Sequence, residues 1–132
     1  MRRAAALLLL LVAVAGCVSP AWDDHDYALK AQASAESVSS TVQVVRVAVR
    51  DSRRLTRPYL KTVLTEAAAE LDAVADQFGG VQPPSERSDQ VRDRLLDRIQ
   101  RAEDVVDDLL IQVRRNGIED PARAARELEA LG

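Results

Sequence analysis

One cysteine, one histidine and four aromatic residues are thin material for a chain of 132 residues. With Cys17 as the only cysteine, no intrachain disulfide can form. A Ser-His-Asp arrangement would have to use the lone His25, and no Gly-x-Ser-x-Gly elbow is present. Trp22, Tyr27, Tyr59 and Phe78 leave little for stacking on bases or sugars. None of the five glycines builds a phosphate-cradling loop. Only one long apolar run exists, Ala4 to Val14, and its 11 residues fall short of the roughly 20 that cross a bilayer. These shortages argue against an enzyme, against a bound cofactor and against a permanent transmembrane helix.

What is present starts at the front. Arg2 and Arg3 form a positive n-region, Ala4 to Val14 an apolar h-region, and Ala15-Gly16 a small-residue cleavage site. The segment Val14-Ala15-Gly16-Cys17 resembles the lipobox of bacterial lipoproteins. That resemblance implies diacylglyceryl transfer to the Cys17 sulfur and cleavage of residues 1–16. Two or three acyl chains hold a protein durably where one holds it marginally. The expectation is a protein fixed by lipid to the extracytoplasmic face of the cell membrane. Residues 17–26 would be the lipidated cysteine and a tether, and residues 27–132 one helical domain.

Without the leader, 16 Lys and Arg against 21 Asp and Glu leave a net charge of −5. Nucleic-acid binders carry a basic footprint, so nucleic acid is not an expected partner. Arg outnumbers Lys 16 to 2, a bias typical of GC-rich genomes.

Periodicity predicts four helices. The first is expected over Asp26–Arg54, with small or apolar residues at 31, 34, 38, 41, 45, 48, 52 and 55. Val42, Val44, Val45, Val47 and Val49 alone would suit a strand, yet no partner strand exists in the chain. The second opens near Pro58, carries Leu60, Val63, Leu64, Ala67, Leu71, Val74, Ala75 and Phe78 inward, and stops at Gly79-Gly80, where glycine would supply a left-handed cap. Val81 to Ser85 is a stiff loop. The third runs from Glu86 or Ser88 to Arg115 on a stripe of Val91, Leu95, Ile99, Ala102, Val106, Leu109 and Val113, widened by Leu96, Val105 and Leu110, and Asn116-Gly117 closes it. A short fourth follows Asp120 and Pro121, with Ala125, Leu128 and Leu131 inward. The fold class is therefore an all-α up-and-down bundle of three longer helices plus a short C-terminal one. The lengths suggest that the second and fourth helices lie end to end along the two long ones.

Two kinds of charged constellation stand out. Arg46, Arg50, Arg53 and Arg57 fall within about 60° on a helix and could meet a phosphate, a carboxylate or an anionic polymer. Their alternative use is pairing with acids of neighbouring helices. Asp89, Asp93, Asp97, Asp104 and Asp108 form an acidic stripe on the third helix, flanked by Arg94, Arg98 and Arg101. Glu66/Glu70, Asp72/Asp76 and Asp104/Asp107/Asp108 are carboxylate sets, but the Glu-x-x-His pairs of a di-iron bundle are missing. Asp23-Asp24-His25-Asp26 could hold a cation loosely. No metal site is expected.

Gln82-Pro83-Pro84, Ser88-Asp89 and Arg114-Arg115-Asn116-Gly117 are similar to segments of small secreted helical proteins of actinobacteria. The likeness covers most of the mature chain and implies no activity and no functional residue. The expected role is a structural or interaction module of the cell envelope that meets an envelope protein or wall polymer. The alternative is a small-ligand or metal binder using inter-helix carboxylates.

Overall fold

Caps and breakers, more than the apolar stripes, decide where each helix starts and stops. The computed structural model describes residues 21–132, so Val14, Ala15, Gly16 and Cys17 lie outside it. Four helices follow in order: α1 (Asp24–Arg50), α2 (Arg57–Gly79), α3 (Glu86–Arg115) and α4 (Pro121–Glu129). No strand occurs among the described residues. The all-α bundle of three long helices and a short last one is thus the observed fold.

Each helix opens on an oxygen-bearing side chain that accepts from a backbone N–H of its first turn. Asp23 accepts from Asp26 N at 2.8 Å, Thr56 from Tyr59 N at 3.4 Å, Ser85 from Ser88 N at 3.3 Å and Asp120 from Arg123 N at 2.9 Å. Such caps contribute about 1 kcal/mol apiece. Pro58 and Pro121 sit in first turns, where a missing N–H costs nothing.

Three boundaries depart from expectation. Because Asp23 is the cap, Asp24, His25 and Asp26 belong to α1 and not to a tether. At the far end α1 stops at Arg50, four residues before the expected Arg54. Thr56 must be extended (φ −75°, ψ 150°) to cap α2, so the intervening residues form a tight turn with Ser52 N to Val49 O at 3.1 Å and Arg54 N to Asp51 O at 2.8 Å. Finally, Gly80 after α2 is right-handed (φ −74°), not left-handed. Val81 N donates to Phe78 O at 3.0 Å, a turn that tucks Val81 into the core. The left-handed residue is instead Gly117 (φ 106°), which closes α3 with its N–H on Gln112 O at 2.9 Å.

The core joins Tyr27, Val38, Val42, Val45 and Val49 of α1 to Leu64, Leu71 and Phe78 of α2. Ile99, Val106 and Leu109 of α3 and Leu128 of α4 complete it. On α1 the buried stripe is turned relative to the expected one. Val42 and Val49 are buried, whereas Ser34, Thr41, Ser52 and Leu55 are only half-buried. The reason is that α1 packs against all three other helices.

The second and fourth helices are not end to end; they do not touch. α2 spans the bundle, held to α3 at both ends by Arg57 Nη2 on Asn116 O at 3.3 Å and Arg92 Nη2 on Gly79 O at 2.9 Å. α4 lies against α1 and the adjoining part of α3. Its end is fixed by Arg98, which donates from Nε to Leu131 O at 2.7 Å and from Nη2 to Ser39 Oγ at 3.1 Å.

Asp24 fastens the opposite end. Its Oδ1 accepts from Ser85 Oγ at 2.5 Å and from Ser88 Oγ at 2.7 Å, tying the start of α1 to the start of α3. Those hydroxyls, with Arg87 nearby, hold the Asp24 carboxyl below the usual aspartate value. A depressed native value makes this contribution full above about pH 3.9 and lost as the pH falls through the native value. Acid titration of helicity by circular dichroism is expected to show a shallower stability loss in Asp24→Asn than in wild type below that pH. An unchanged acid limb would show that the clasp carries no linkage.

Candidate functional site

The turn at Asp51–Thr56 breaks the arginine stripe, and three of its members line a groove between α1 and α4. Arg46 and Arg50 leave α1 from the side facing α4, and Arg53 follows from the turn. Arg57 does not join them, because it opens α2 and spends its guanidinium on the Asn116 carbonyl. The expected four-residue helical stripe is therefore three residues around one groove and a fourth used as a strut. The groove holds about 890 Å³.

Its opposite wall was not foreseen from the sequence. Glu119 and Asp120, just before α4, and Arg126 and Glu129 on α4 complete the lining, over an apolar floor of Pro121, Ala122 and Ala125. Positions 122, 125, 126 and 129 share one face of a helix, a signal legible in the sequence. Which helix that face would meet was not.

The charges are unevenly paired. At the inner end Arg46 Nη1 meets Glu129 Oε1 at 2.9 Å, with the arginine side chain 19% exposed. The Arg46 Nε is shielded and has no hydrogen-bond partner among the described residues. Toward the outer end, Arg50 and Arg53 lack any acid within 4.0 Å among the described residues, although Glu119 and Asp120 line the same space. One Asp120 oxygen is committed to capping α4, whereas the Glu119 carboxylate has no hydrogen-bond partner among the described residues. A partly shielded pair thus closes one end of the groove, while the other end stays open between Arg50 and Arg53 on one wall and Glu119 and Asp120 on the other, with Arg126 adding a positive charge to the α4 wall.

The acidic stripe of α3 resolves into local contacts. Asp97 pairs with Arg101 at 2.9 Å, both well exposed, an arrangement contributing at most about 1 kcal/mol. Asp104 and Asp108 accept from Gln100 at 3.2 Å and Gln112 at 2.7 Å. Arg94 turns to the Gln90 carbonyl, and Arg98 serves the C-terminus, so neither pairs with the stripe. Burial, reinforced by Asp72, Asp107, Asp104 and Asp76, raises the Glu103 carboxyl above the usual glutamate value. Among the described residues, no group of three or more His, Cys, Asp or Glu side chains is placed to hold a metal ion. His25 is exposed on α1, and Asp23 and Asp24 are occupied by capping and by the serine clasp.

A second groove of about 340 Å³ lies between α1 and α2, bordered by the exposed Val44, Val47 and Tyr59 with Leu55 and Val63. No described helix is long and apolar enough to cross a membrane. Comparison of the chain with family profiles, curated proteins and solved structures returns no match.

Proposed function

We propose that the chain is a lipoprotein fixed to the extracytoplasmic face of the cell membrane through Cys17, and that it serves as an interaction module of the envelope. The observation that carries the address is the Val14-Ala15-Gly16-Cys17 pattern behind a positively charged, apolar leader. Support for the interaction role comes from Arg50 and Arg53, two exposed guanidiniums on a built groove with no ion-pair partner among the described residues. Arginine is the side chain best suited to meeting carboxylates and phosphates through paired hydrogen bonds. The partner is then an envelope protein or a wall polymer presenting such groups.

Mass spectrometry of the mature protein is expected to find Cys17 at the N-terminus with a diacylglyceryl group on sulfur. A chain beginning at Met1, or one with a free thiol, overturns the anchored reading. In membranes cross-linked before solubilisation, the same partner should be recovered repeatedly with wild type and lost with Arg50→Glu/Arg53→Glu. Failure to recover any such partner across several growth conditions overturns the interaction role.

A further inference from the structure

The groove between α1 and α4 is not simply basic, and its two walls restrict what fits. Four arginines and three acids line it, three of the arginines on the α1 side and Arg126 among the acids on the α4 side, so its formal balance is close to neutral. A polyanion drawn to Arg50 and Arg53 would also meet Glu119 and Asp120 across the same space. Like charges brought together there repel, most strongly at low salt. The walls do not neutralise each other directly either. Only Arg46 and Glu129 close to contact, while Arg50 and Arg53 remain apart from Glu119 and Asp120 by more than ion-pair distance.

We infer that the open end takes a short zwitterionic guest, an amino acid or small peptide with a free ammonium and a free carboxylate. The carboxylate meets Arg50 and Arg53, whose planar guanidiniums suit paired hydrogen bonds. The ammonium meets Glu119, with Asp120 beside it. Between them Pro121 and Ala122 offer a small apolar surface for the guest's own apolar part. The volume of about 890 Å³ lies within the usual range for small-molecule pockets and is ample for two residues. This inference rests on the interaction reading and names the ligand class for it. Because the groove is open to solvent, binding is weak, with a dissociation constant of about 1 mM.

The test uses the leaderless chain, residues 17–132, labelled with ¹⁵N and titrated at low salt with alanylalanine. Parallel titrations use N-acetyl-alanylalanine, alanylalanine amide and inorganic phosphate. Saturable shifts are expected at amides of residues 50–53 and 119–126 with the zwitterion. Blocking either terminus is expected to weaken binding by roughly tenfold. Glu119→Gln should erase the penalty of N-acetylation, and Arg50→Gln/Arg53→Gln that of C-terminal amidation; all three residues are exposed, so folding is checked simply by retained dispersion of the remaining amides. Phosphate or the acetylated dipeptide binding as tightly as the zwitterion overturns the inference, as does the absence of saturable shifts. If the dipeptide fails while cross-linking still returns a partner dependent on Arg50 and Arg53, the ligand class falls and the interaction role stands. If both fail, both fall.

Discussion

Leu128→Asp releases α4 and leaves the rest of the bundle folded. Leu128 is fully buried and, with Ala124 and Ala125, provides the apolar face by which nine residues of helix dock. A helix of that length is not stable alone in water, so its structure depends on that docking. Burying an unpaired carboxylate there costs several kcal/mol, more than the Asp120 cap and the exposed side of the Arg46–Glu129 pair return. Undocking is the cheaper outcome, because α1, α2 and α3 contact one another directly and keep their own core. Hydrogen exchange should show residues 121–131 at unprotected rates while the amides around Leu64, Leu71 and Ile99 stay protected. Circular dichroism should lose about the helical signal of α4 alone. Loss of protection throughout would mean that α4 is part of a single cooperative unit. The zwitterion titration should also lose its signal in this variant, because one wall of the groove leaves with α4.

The largest stability loss is expected from Phe78→Ala, at the other end of the molecule. Phe78 is 1% exposed and packs its ring at 5.4 Å and 49° to that of Tyr27. Truncating a buried phenylalanine costs about 3–5 kcal/mol, and the tilted aromatic pair accounts for about 0.5–1.5 kcal/mol of similar losses elsewhere. Against a total stability of about 5–15 kcal/mol, that loss is a large fraction of the whole. Its partner gives the opposite sign. The Tyr27 hydroxyl is buried with no hydrogen-bond partner among the described residues, and that burial raises its ionisation above the usual phenol value. An unsatisfied buried hydroxyl costs about 1–3 kcal/mol, so Tyr27→Phe is expected to match or exceed wild type. Urea unfolding of the three proteins checks both. A wild-type midpoint in Phe78→Ala, or a large loss in Tyr27→Phe, would show that this layer is packed differently.

The number of helices, and the residues that line most of their inner faces, were legible because a 3.6-residue stripe on α2 and α3 has only one way to face the core. Leu95, Ile99, Ala102, Val106, Leu109 and Val113 are all buried as the spacing requires. The valine-rich stretch 41–49 was the hard case, and it is helical because a helix can bury Val42, Val45 and Val49 together against its neighbours. What spacing did not carry was competition between adjacent segments. Whether residues 51–54 extend α1 depends on Thr56 being needed as the cap of α2, a demand made from outside the first helix. That same demand separates Arg57 from Arg46 and Arg50. Pairing was equally hidden. Nine amphipathic residues in α4 announce an apolar face but not its host, so Glu119, Asp120 and Glu129 became site residues only once α4 was seen on α1.

The direction of α1 has a mechanical consequence. Its first residue, Asp24, and its last, Arg50, are separated by 26 rises of about 1.5 Å, or roughly 39 Å of stiff rod. The Asp24 clasp and the arginine groove therefore sit at opposite ends of that rod. Because α2, α3 and α4 all pack against α1, that spacing is fixed by the whole bundle, and shortening α1 by even one turn of about 5.4 Å would remove core contacts along with the length.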